Sequence, residues 1–283
     1  MSGRWVPFRR TISECHSEPD VTVMPMPLET ALIAASFDLW WWWGIPLAAY
    51  AALAIAWWVF AVPALKRGPG GTAALGLLWR SSKVLLRWRQ ELRFEGIEHY
   101  EQAMASGAVL VVANHTGAVD PVLVQAAGPR LIRWMMARDM MGRGWEDLWA
   151  FLRIIPVNRS GTDTASLLAA MRMLKRGGVV GVFPEGRITR PPGTIRPFQE
   201  GVGILAARSG ATVLPCWISG TPDADGMVDS VFGRSKSRVV FLEPVRYQRS
   251  MSAADVTIDL RSRLIAASRW PACDEEMPLT VSP

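Results

Sequence analysis

Residues 108–121 have the sequence AVLVVANHTGAVDP, in which a run of small and β-branched apolar residues is followed directly by polar ones. Such an apolar run is typical of a strand buried on both faces of a parallel sheet. Three further runs of this kind lie at residues 179–183 (VVGVF), 212–218 (TVLPCWI) and 238–242 (RVVFL). We therefore predict buried strands at these four places, the first over residues 108–113.

Segments with helical spacing separate the predicted strands and lie at residues 145–152, 164–175 and 201–209. The glycine pair at 177–178 is placed to cap the second of these helices at its C-terminal end. Ser252 and Asp255 form a typical start for a last helix, which ends near Ser268. Strands alternating with helices predict the α/β class, with a central sheet flanked by helices.

The composition is that of a folded domain with room for a sizeable core. Of the 283 residues, 50% are hydrophobic and 20% are charged, which excludes a disordered polar chain. Cys15, Cys216 and Cys273 are scattered, lack the spacing of a disulfide framework or a metal site, and favour a reducing compartment. The formal net charge of +6 suits nucleic acid, an anionic membrane or a phosphorylated substrate equally well.

A long apolar segment precedes the predicted sheet. Between Asp38 and Lys66 there is no charged residue, and as a helix these 27 residues would measure about 40 Å, against a hydrocarbon core of about 30 Å. Tryptophans cluster at both ends of the segment, as they do at lipid–water interfaces. Pro46 and Pro63 leave two alternatives open, a membrane-anchoring helix or a helical hairpin that enters one leaflet.

The charges that flank this segment indicate its orientation. The nearest charges before it are acidic, whereas four cations follow it: Lys66, Arg67, Arg80 and Lys83. We therefore expect the rest of the chain on the cytoplasmic side of the membrane. Residues 72–92 predict a basic amphipathic helix, which either lies at the membrane interface or packs against the domain, and the two can hold together. Its apolar face is expected to contain Leu75, Leu78, Leu85, Trp88 and Leu92.

Residues suited to acid–base chemistry follow the first predicted strand directly. His115 lies just beyond the strand and Asp120 lies five residues later, with Gly117 between them able to form a tight turn. An imidazole titrates near neutrality, so His115 can act as a general base while a carboxylate on its other nitrogen orients it. There is no G-x-S-x-G motif, and Cys216 lies in an apolar strand, so a protein nucleophile is not evident. The base is therefore expected to activate a substrate hydroxyl or water.

A second polar group follows the second predicted strand. The stretch FPEGRITR, residues 183–190, places a carboxylate, a glycine and two arginines at this strand end, which suits a phosphate or polyol ligand. Arg159 follows the strand-like IIPVN and is another candidate phosphate ligand. Arg190 and Arg196, taken singly, are expected to be solvated loop charges.

Four blocks, in this order, resemble those of the glycerolipid acyltransferases, the family that includes lysophosphatidate acyltransferases. NHTGAVD at residues 114–120 resembles the family's N-H-x-x-x-x-D catalytic block, and IIPVNR at 154–159 resembles its acceptor-binding block. FPEG at 183–186 resembles the third block, and VLPCWI at 213–218 resembles the apolar, proline-containing fourth. Each block alone is a weak signal, but the four together are specific to the family.

The resemblance implies a membrane-bound O-acyltransferase that moves a fatty acyl group from an acyl thioester to a lysophospholipid hydroxyl, with 1-acylglycerol-3-phosphate as the acceptor and phosphatidic acid as the product. It implies that His115 is the general base and that Asp120 orients it. The residues it implies for substrate binding are Asn114, Arg159, Glu185, Gly186, Arg187 and Thr189. The donor, acyl-CoA or acyl carrier protein, carries an activated thioester, so the reaction needs no protein nucleophile.

Two departures from the family's pattern concern the acceptor headgroup. The third block commonly continues T-R-S, whereas here Arg187, Ile188 and Thr189 follow the glycine, and Arg153 stands where a glycine is common before the second block. Lysophosphatidylethanolamine, a lyso-ornithine lipid or a non-phosphorylated polyol are therefore alternative acceptors. A non-catalytic, membrane-tethered lipid-binding protein is the alternative from a different functional class.

These patterns divide the chain into four parts. We expect disorder at residues 1–30, the anchor and interfacial helix at residues 31–92, the acyltransferase domain at residues 93–269 and a flexible tail at residues 270–283. The expected partners are membrane phospholipids, the lysophospholipid acceptor and the acyl donor. Neither nucleic acid nor a metal ion or other cofactor is expected, because the chain lacks a nucleic-acid-binding module and ligand-spaced Cys and His residues.

Overall fold

The computed structural model describes residues 40–142, 144–159, 163–224 and 226–274. The disorder expected at residues 1–30 and the tail beyond residue 274 lie outside the described residues. The chain divides into two compact units, Met1–Ala56 and Trp57–Pro283, and the second unit contains the sheet.

The apolar segment forms one helix, Trp41–Lys66, which is long and apolar enough to cross a membrane. It contains the α-helices α1 (Ile45–Ala56) and α2 (Val62–Lys66), each preceded by a π-helical turn, at Trp40–Gly44 and Trp57–Ala61. Pro46 and Pro63 lie just after these wider turns. A proline lacks the N–H for the normal helical bond, and a π-helical turn accommodates it without ending the helix.

Helix α3 (Ala73–Arg89) begins at Thr72, whose hydroxyl accepts the Leu75 N–H at 3.3 Å. Its backbone lies so close to α2 that a methyl group on Gly76 would be 1.9 Å from the Leu65 carbonyl oxygen. The predicted helix is confirmed over residues 73–89, but it ends before Leu92, which was expected on its apolar face. Leu75 is buried whereas Leu78 and Trp88 are exposed, because the helix packs one apolar side against the domain and leaves a second one uncovered.

A seven-stranded sheet forms the centre of the second unit. Its strands are β1 (Arg93–Glu95), β2 (Val109–Ala113), β3 (Ile132–Ala137), β4 (Ile155–Val157), β5 (Val179–Val182), β6 (Thr212–Ser219) and β7 (Arg238–Phe241). Their order is β1-β7-β6-β2-β5-β3-β4. Strands β6, β2, β5, β3 and β4 are parallel to one another, and β7 is antiparallel to β6. The C-terminal ends of the five parallel strands therefore meet at one edge of the sheet, which we call the site edge.

Helices cover both faces of the sheet. In chain order they are α4 (Ile97–Ala105), α5 (Asp120–Gln125), α6 (Glu146–Phe151), α7 (Thr164–Lys175), α8 (Gly201–Ser209), α9 (Met227–Phe232) and α10 (Ala253–Ser268). Strand β2 is fully buried, with Val109 and Val111 in the core on one face and Leu110 and Val112 in the core on the other. The α/β class with a helix-flanked central sheet is confirmed.

Both predicted helix ends are confirmed by their hydrogen bonds. After α7, Gly177 has a φ of 76°, and Gly178 donates its N–H to the Met173 carbonyl at 3.0 Å, as in a Schellman motif. At the start of α10 the Ser252 hydroxyl accepts the Asp255 N–H at 3.0 Å. Local sequence therefore determines where these two helices end and begin.

Residues 270–274, which we assigned to a tail, contact the domain. Trp270 packs edge to face against Trp217, with ring centroids 5.6 Å apart. Cys273 donates its N–H to the Ile195 carbonyl at 3.1 Å, and Arg261 forms an ion pair with Asp274 at 2.6 Å. The part of this segment that the structure describes is thus tied to the domain.

Candidate active site

The first site loop, residues 114–119, leaves the end of β2 and is called the His115 loop. Its first residue, Asn114, is buried and bridges to β6, donating Nδ2–H to the Ile218 carbonyl at 2.9 Å and accepting the Ile218 N–H at 2.7 Å. Its side chain therefore acts as a further rung of the sheet. This bridge holds the strand end from which His115 projects.

His115 and Asp120 are in direct contact. Nδ1 of His115 lies 2.9 Å from Oδ2 of Asp120, whose side chain is completely buried. A carboxylate can only accept a hydrogen bond, so Nδ1 is the donor, and in the neutral imidazole the other ring nitrogen, Nε2, then has a free lone pair. Nε2 has no hydrogen-bond partner among the described residues, and 17% of the His115 side chain is exposed. The pair therefore has the geometry of an oriented general base open to a substrate.

The Asp120 carboxylate is also held by the loop itself. Oδ2 accepts the N–H groups of Thr116 at 2.7 Å and Gly117 at 2.9 Å. Asp120 is the first residue of α5, where the unpaired N–H groups and dipole of a helix favour a negative charge. These contacts compensate for the burial of the charge and fix its position.

The second site loop, residues 183–190, follows β5 and is called the Glu185 loop. Gly186 has a φ of 73°, a left-handed conformation that favours glycine, and closes a turn through its N–H to the Phe183 carbonyl at 3.0 Å. The turn directs Glu185 into the interior, where only 5% of the residue is exposed. This loop lies beside the His115 loop because β5 is the neighbour of β2 in the sheet.

Glu185 and Thr189 hold the main chain of His115 from both sides. Glu185 Oε1 accepts the His115 N–H at 2.9 Å, and the Thr189 N–H donates to the His115 carbonyl at 2.9 Å. The other oxygen of Glu185 accepts the Thr189 hydroxyl and, at 3.2 Å, the Arg196 N–H. Glu185 and Thr189, two of the six residues that the resemblance implied for substrate binding, are therefore engaged within the protein, where they position His115.

Burial raises the pKa of Glu185 above its ordinary value. The hydrogen bonds from Thr189, His115 and Arg196 act in the opposite direction, because they favour the charged form. Since burial has the larger effect, the charged carboxylate depends on keeping these donors in place.

The predicted phosphate ligands have different surroundings. Arg187 is half-buried in the Glu185 loop and forms no hydrogen bond or ion pair with any residue the structure describes, so its guanidinium is available to an anion. Arg159 follows β4 and pairs with Asp139 at 3.4 Å, and both side chains are accessible. Strand β4 is three positions from β2, so Arg159 begins about 14 Å from the strand that carries His115. Arg187 lies on the loop that follows β5, the direct neighbour of β2, and therefore begins closer to the strand that carries His115 than Arg159 does.

The expectation that Arg190 and Arg196 are solvated loop charges is wrong. Arg190 donates from Nη1 to the Thr116 carbonyl at 2.7 Å and thereby joins the two site loops. Arg196 is buried, and its carbonyl accepts from Arg261 at 3.0 Å. A charged residue in a polar stretch is exposed to solvent only when no neighbouring element covers it. Here the His115 loop contacts Arg190, and Arg261 on α10 contacts Arg196.

Ser230, which no sequence pattern marks, supports the His115 loop from a distant part of the chain. Its hydroxyl accepts the Val119 N–H at 3.1 Å, while Gln90, at the end of α3, donates to the Ser230 carbonyl at 2.9 Å. Both residues are fully buried. An isolated serine or glutamine carries no local signal of such a role, because the partners are more than a hundred residues apart.

The described residues contain neither a reactive thiol nor a metal site at this edge. Cys216 is completely buried in β6, and burial raises its thiol pKa, so it stays protonated. Within the described ranges, no group of three or more His, Cys, Asp or Glu residues could hold a metal ion.

Comparisons with known proteins match this region of the chain. Residues 91–219, which include both site loops, match the family model described as Acyltransferase. The chain is 26% identical over 168 residues to 1-acyl-sn-glycerol-3-phosphate acyltransferase of Bacillus subtilis (strain 168), a match that covers 58% of this chain and 78% of that protein.

A solved structure has the same fold. It is the crystal structure of the 1-acyl-sn-glycerophosphate (LPA) acyltransferase PlsC from Thermotoga maritima, which matches with a TM-score of 0.54 and 20% sequence identity. The match covers 68% of this chain and 78% of that one. At this identity the likeness establishes the fold alone. A conclusion about the reaction has to rest on the geometry of the site loops.

Proposed function

Because this chain is an acyltransferase of the lysophosphatidate acyltransferase-like family, we propose that it transfers a fatty acyl group to the free hydroxyl of 1-acylglycerol-3-phosphate and so makes phosphatidic acid. The observation that carries this proposal is the contact between His115 and the buried Asp120 at the site edge, with Nε2 open to a ligand. The name of the Bacillus subtilis relative supports the acceptor.

In the proposed reaction His115 Nε2 takes the proton from the acceptor hydroxyl as its oxygen bonds to the thioester carbonyl carbon. The carbon–sulfur bond then breaks, and the leaving thiolate takes the proton from the imidazolium. Asp120 keeps Nδ1–H in place and stabilises the imidazolium that forms between the two steps. The buried Cys216 takes no part, so the acyl group passes directly from donor to acceptor.

We propose an acyl thioester as the donor, carried by coenzyme A or by an acyl carrier protein, since both present the same reacting group. For the acceptor phosphate, the unpaired guanidinium of Arg187 and the accessible one of Arg159 supply positive charge. One observation favours a second acceptor. Asp139 is 61% exposed beside Arg159, and its carboxylate would suit the ammonium group of lysophosphatidylethanolamine.

We place the enzyme on a membrane, with its domain on the cytoplasmic side. The helix Trp41–Lys66 has the length and composition of a span, and it is followed by the cations Lys66 and Arg67. On α3, exposed Val84 and Trp88 present an apolar stripe with exposed Arg87 beside it, as in an interfacial helix. Protease access to the domain in sealed inside-out vesicles tests the sidedness, because a domain on the opposite side would be protected.

The experiment that tests the activity is acyl transfer in membranes that contain the wild type, His115→Ala or His99→Ala. His99 is the matched control, since its Nδ1 contacts the Phe241 carbonyl at 3.1 Å and not the site. Labelled thioesters of both carriers are offered with lysophosphatidate, lysophosphatidylethanolamine and a lyso-ornithine lipid. We expect transfer to lysophosphatidate in the wild type and in His99→Ala. In His115→Ala the rate of transfer should be at least about a hundredfold lower.

Three results would contradict parts of the proposal. Activity retained by His115→Ala would exclude it as the base. Transfer to another lysolipid only would replace the acceptor and leave the reaction class unchanged. If no acyl transfer is detected with any donor or acceptor and the protein still binds lipid, the results would favour the tethered lipid-binding protein.

A further inference from the structure

Three aromatic rings are stacked behind the proposed base. The imidazole of His115 lies parallel to the ring of Phe183, with centroids 4.0 Å apart and planes inclined by 11°. Phe183 in turn lies parallel to the indole of Trp134, with centroids 4.5 Å apart and planes inclined by 9°. The rings come from the ends or interiors of β2, β5 and β3, which are neighbours in the sheet.

A glycine in the middle of β5 makes room for this stack. Gly181 pairs with Trp134 on β3, and a methyl group on it would lie 2.5 Å from the indole atom Cε3. A glycine inside a strand commonly marks such a close approach. Phe183 follows two residues later, so its side chain projects from the same face as position 181 and meets the indole. The indole is buried, with 5% of Trp134 exposed.

Stacking and hydrogen bonding restrict the imidazole in different directions. The Asp120 bond holds one edge of the ring, but it leaves the ring able to tilt about the line from Nδ1 to Oδ2. Phe183 covers one flat face and blocks that tilt. With both contacts in place, the Nε2 lone pair points in one direction. Efficient proton transfer needs the substrate hydroxyl to lie on that line, with its oxygen within about 0.5 Å of the productive position.

We propose that Phe183 and Trp134 are positioning residues for His115, Phe183 by direct stacking and Trp134 by holding Phe183. The proposal rests on the proposed function of His115 as the base. It assigns a role to Trp134, which lies outside the four blocks that resemble the family, and it explains the glycine in the otherwise β-branched strand β5.

The kinetic test compares Trp134→Leu with Trp149→Leu in the full chain in membranes. Trp149 is an equivalent control, since it is 7% exposed and, like Trp134, has a buried indole N–H without a hydrogen-bond partner in the described structure. For Trp134→Leu and Phe183→Leu we expect kcat to fall about tenfold or more, with the KM for both substrates changed by less than about twofold. Trp134→Phe and Phe183→Tyr, which keep a ring, should restore most of kcat.

A spectroscopic test is independent of the reaction. The chain has three histidines, so the carbon-bound imidazole protons of His115 are assigned in the NMR spectrum by their absence in His115→Ala. Stacking on Phe183 should shift them upfield, the shift should vanish in Phe183→Leu, and Trp134→Leu should reduce it. If Trp134→Leu fails to fold, Gly181→Ala displaces the indole with one methyl group and gives the same two readouts.

The outcomes separate this proposal from the proposed function. Resonances that stay the same in the Phe183 and Trp134 variants would mean that the stack is absent in solution and would overturn the proposal. A changed resonance with kcat equal to that of Trp149→Leu would also overturn it, because the stack would then not position the base. Activity retained by His115→Ala would instead refute the base itself, whatever the spectra show.

Discussion

The loops after β2 and β5 differ from those after β3 and β4 in how firmly they hold their polar residues. Asp120 is 0% exposed and Glu185 is 5% exposed, and each accepts hydrogen bonds from several donors within the chain. Asp139 and Arg159, in contrast, form an exposed pair at 3.4 Å. The groups around the proposed base are thus preorganised, whereas those proposed for the headgroup remain free to adapt to it.

The largest effect that this comparison predicts is on Asp120. Asp120→Asn keeps the size of the side chain but removes the negative charge from the group that accepts from His115, Thr116 and Gly117. A neutral amide stabilises the imidazolium and its tautomer much less than a carboxylate does, and we expect kcat to fall by about a hundredfold to ten-thousandfold. The rate of acyl transfer at saturating concentrations of both substrates measures kcat. A loss confined to KM would contradict a role in orienting the base.

A smaller effect is expected at Glu185. A glutamine has one acceptor oxygen in place of two, so Glu185→Gln leaves at least one of the donors from His115, Thr189 and Arg196 unpaired in a buried site. The free energy of unfolding should fall by about 1–3 kcal/mol, and kcat should fall because the main chain of His115 shifts. Denaturant titration and acyl transfer measure the two quantities. Wild-type stability would show that the carboxyl is already protonated in the native state, since glutamine resembles the neutral acid.

The smallest effect is expected at the exposed pair. Arg159→Ala should raise the KM for an anionic acceptor by about tenfold while leaving kcat nearly unchanged, because the lost contact is charge-assisted but exposed to solvent. Asp139→Asn should lower that KM, since it removes the competing carboxylate. Arg263→Ala, which breaks an exposed ion pair with Asp259 on α10, is the control. A fall in kcat for Arg159→Ala equal to that of Asp120→Asn would erase the distinction between the two parts of the site.

Much of the fold follows from short-range pattern. The four predicted strands are present within two residues of their expected ends, and the helices predicted at residues 164–175 and 201–209 have these bounds. The resemblance to glycerolipid acyltransferases, which rests on residues close together in the sequence, is confirmed by the family match. These features are local because apolar runs, caps and motif spacing act over a few residues.

Strand β3 shows where such pattern fails. Its sequence, IRWMMA, contains a charged residue and two methionines, so neither strict alternation nor a β-branched run marks it as a strand. It becomes a strand by pairing with β5 on one side and β4 on the other. Strands β1 and β4 have three residues each; β1 was likewise not predicted, and β4 was described only as a strand-like stretch before Arg159. Tertiary pairing overrides weak local preference in these places.

The sequence by itself determined the class of fold, the positions of the two site loops and the presence of a histidine with a nearby carboxylate, because these depend on residues within one strand and the turn that follows it. Only the tertiary structure decided that Glu185 and Thr189 hold the main chain of His115, that Arg190 joins the loops, and that Trp134 lies behind the imidazole. Those contacts join residues that are distant in the chain. They exist because the order of the strands in the sheet, β2-β5-β3, places these three strands and the two site loops side by side.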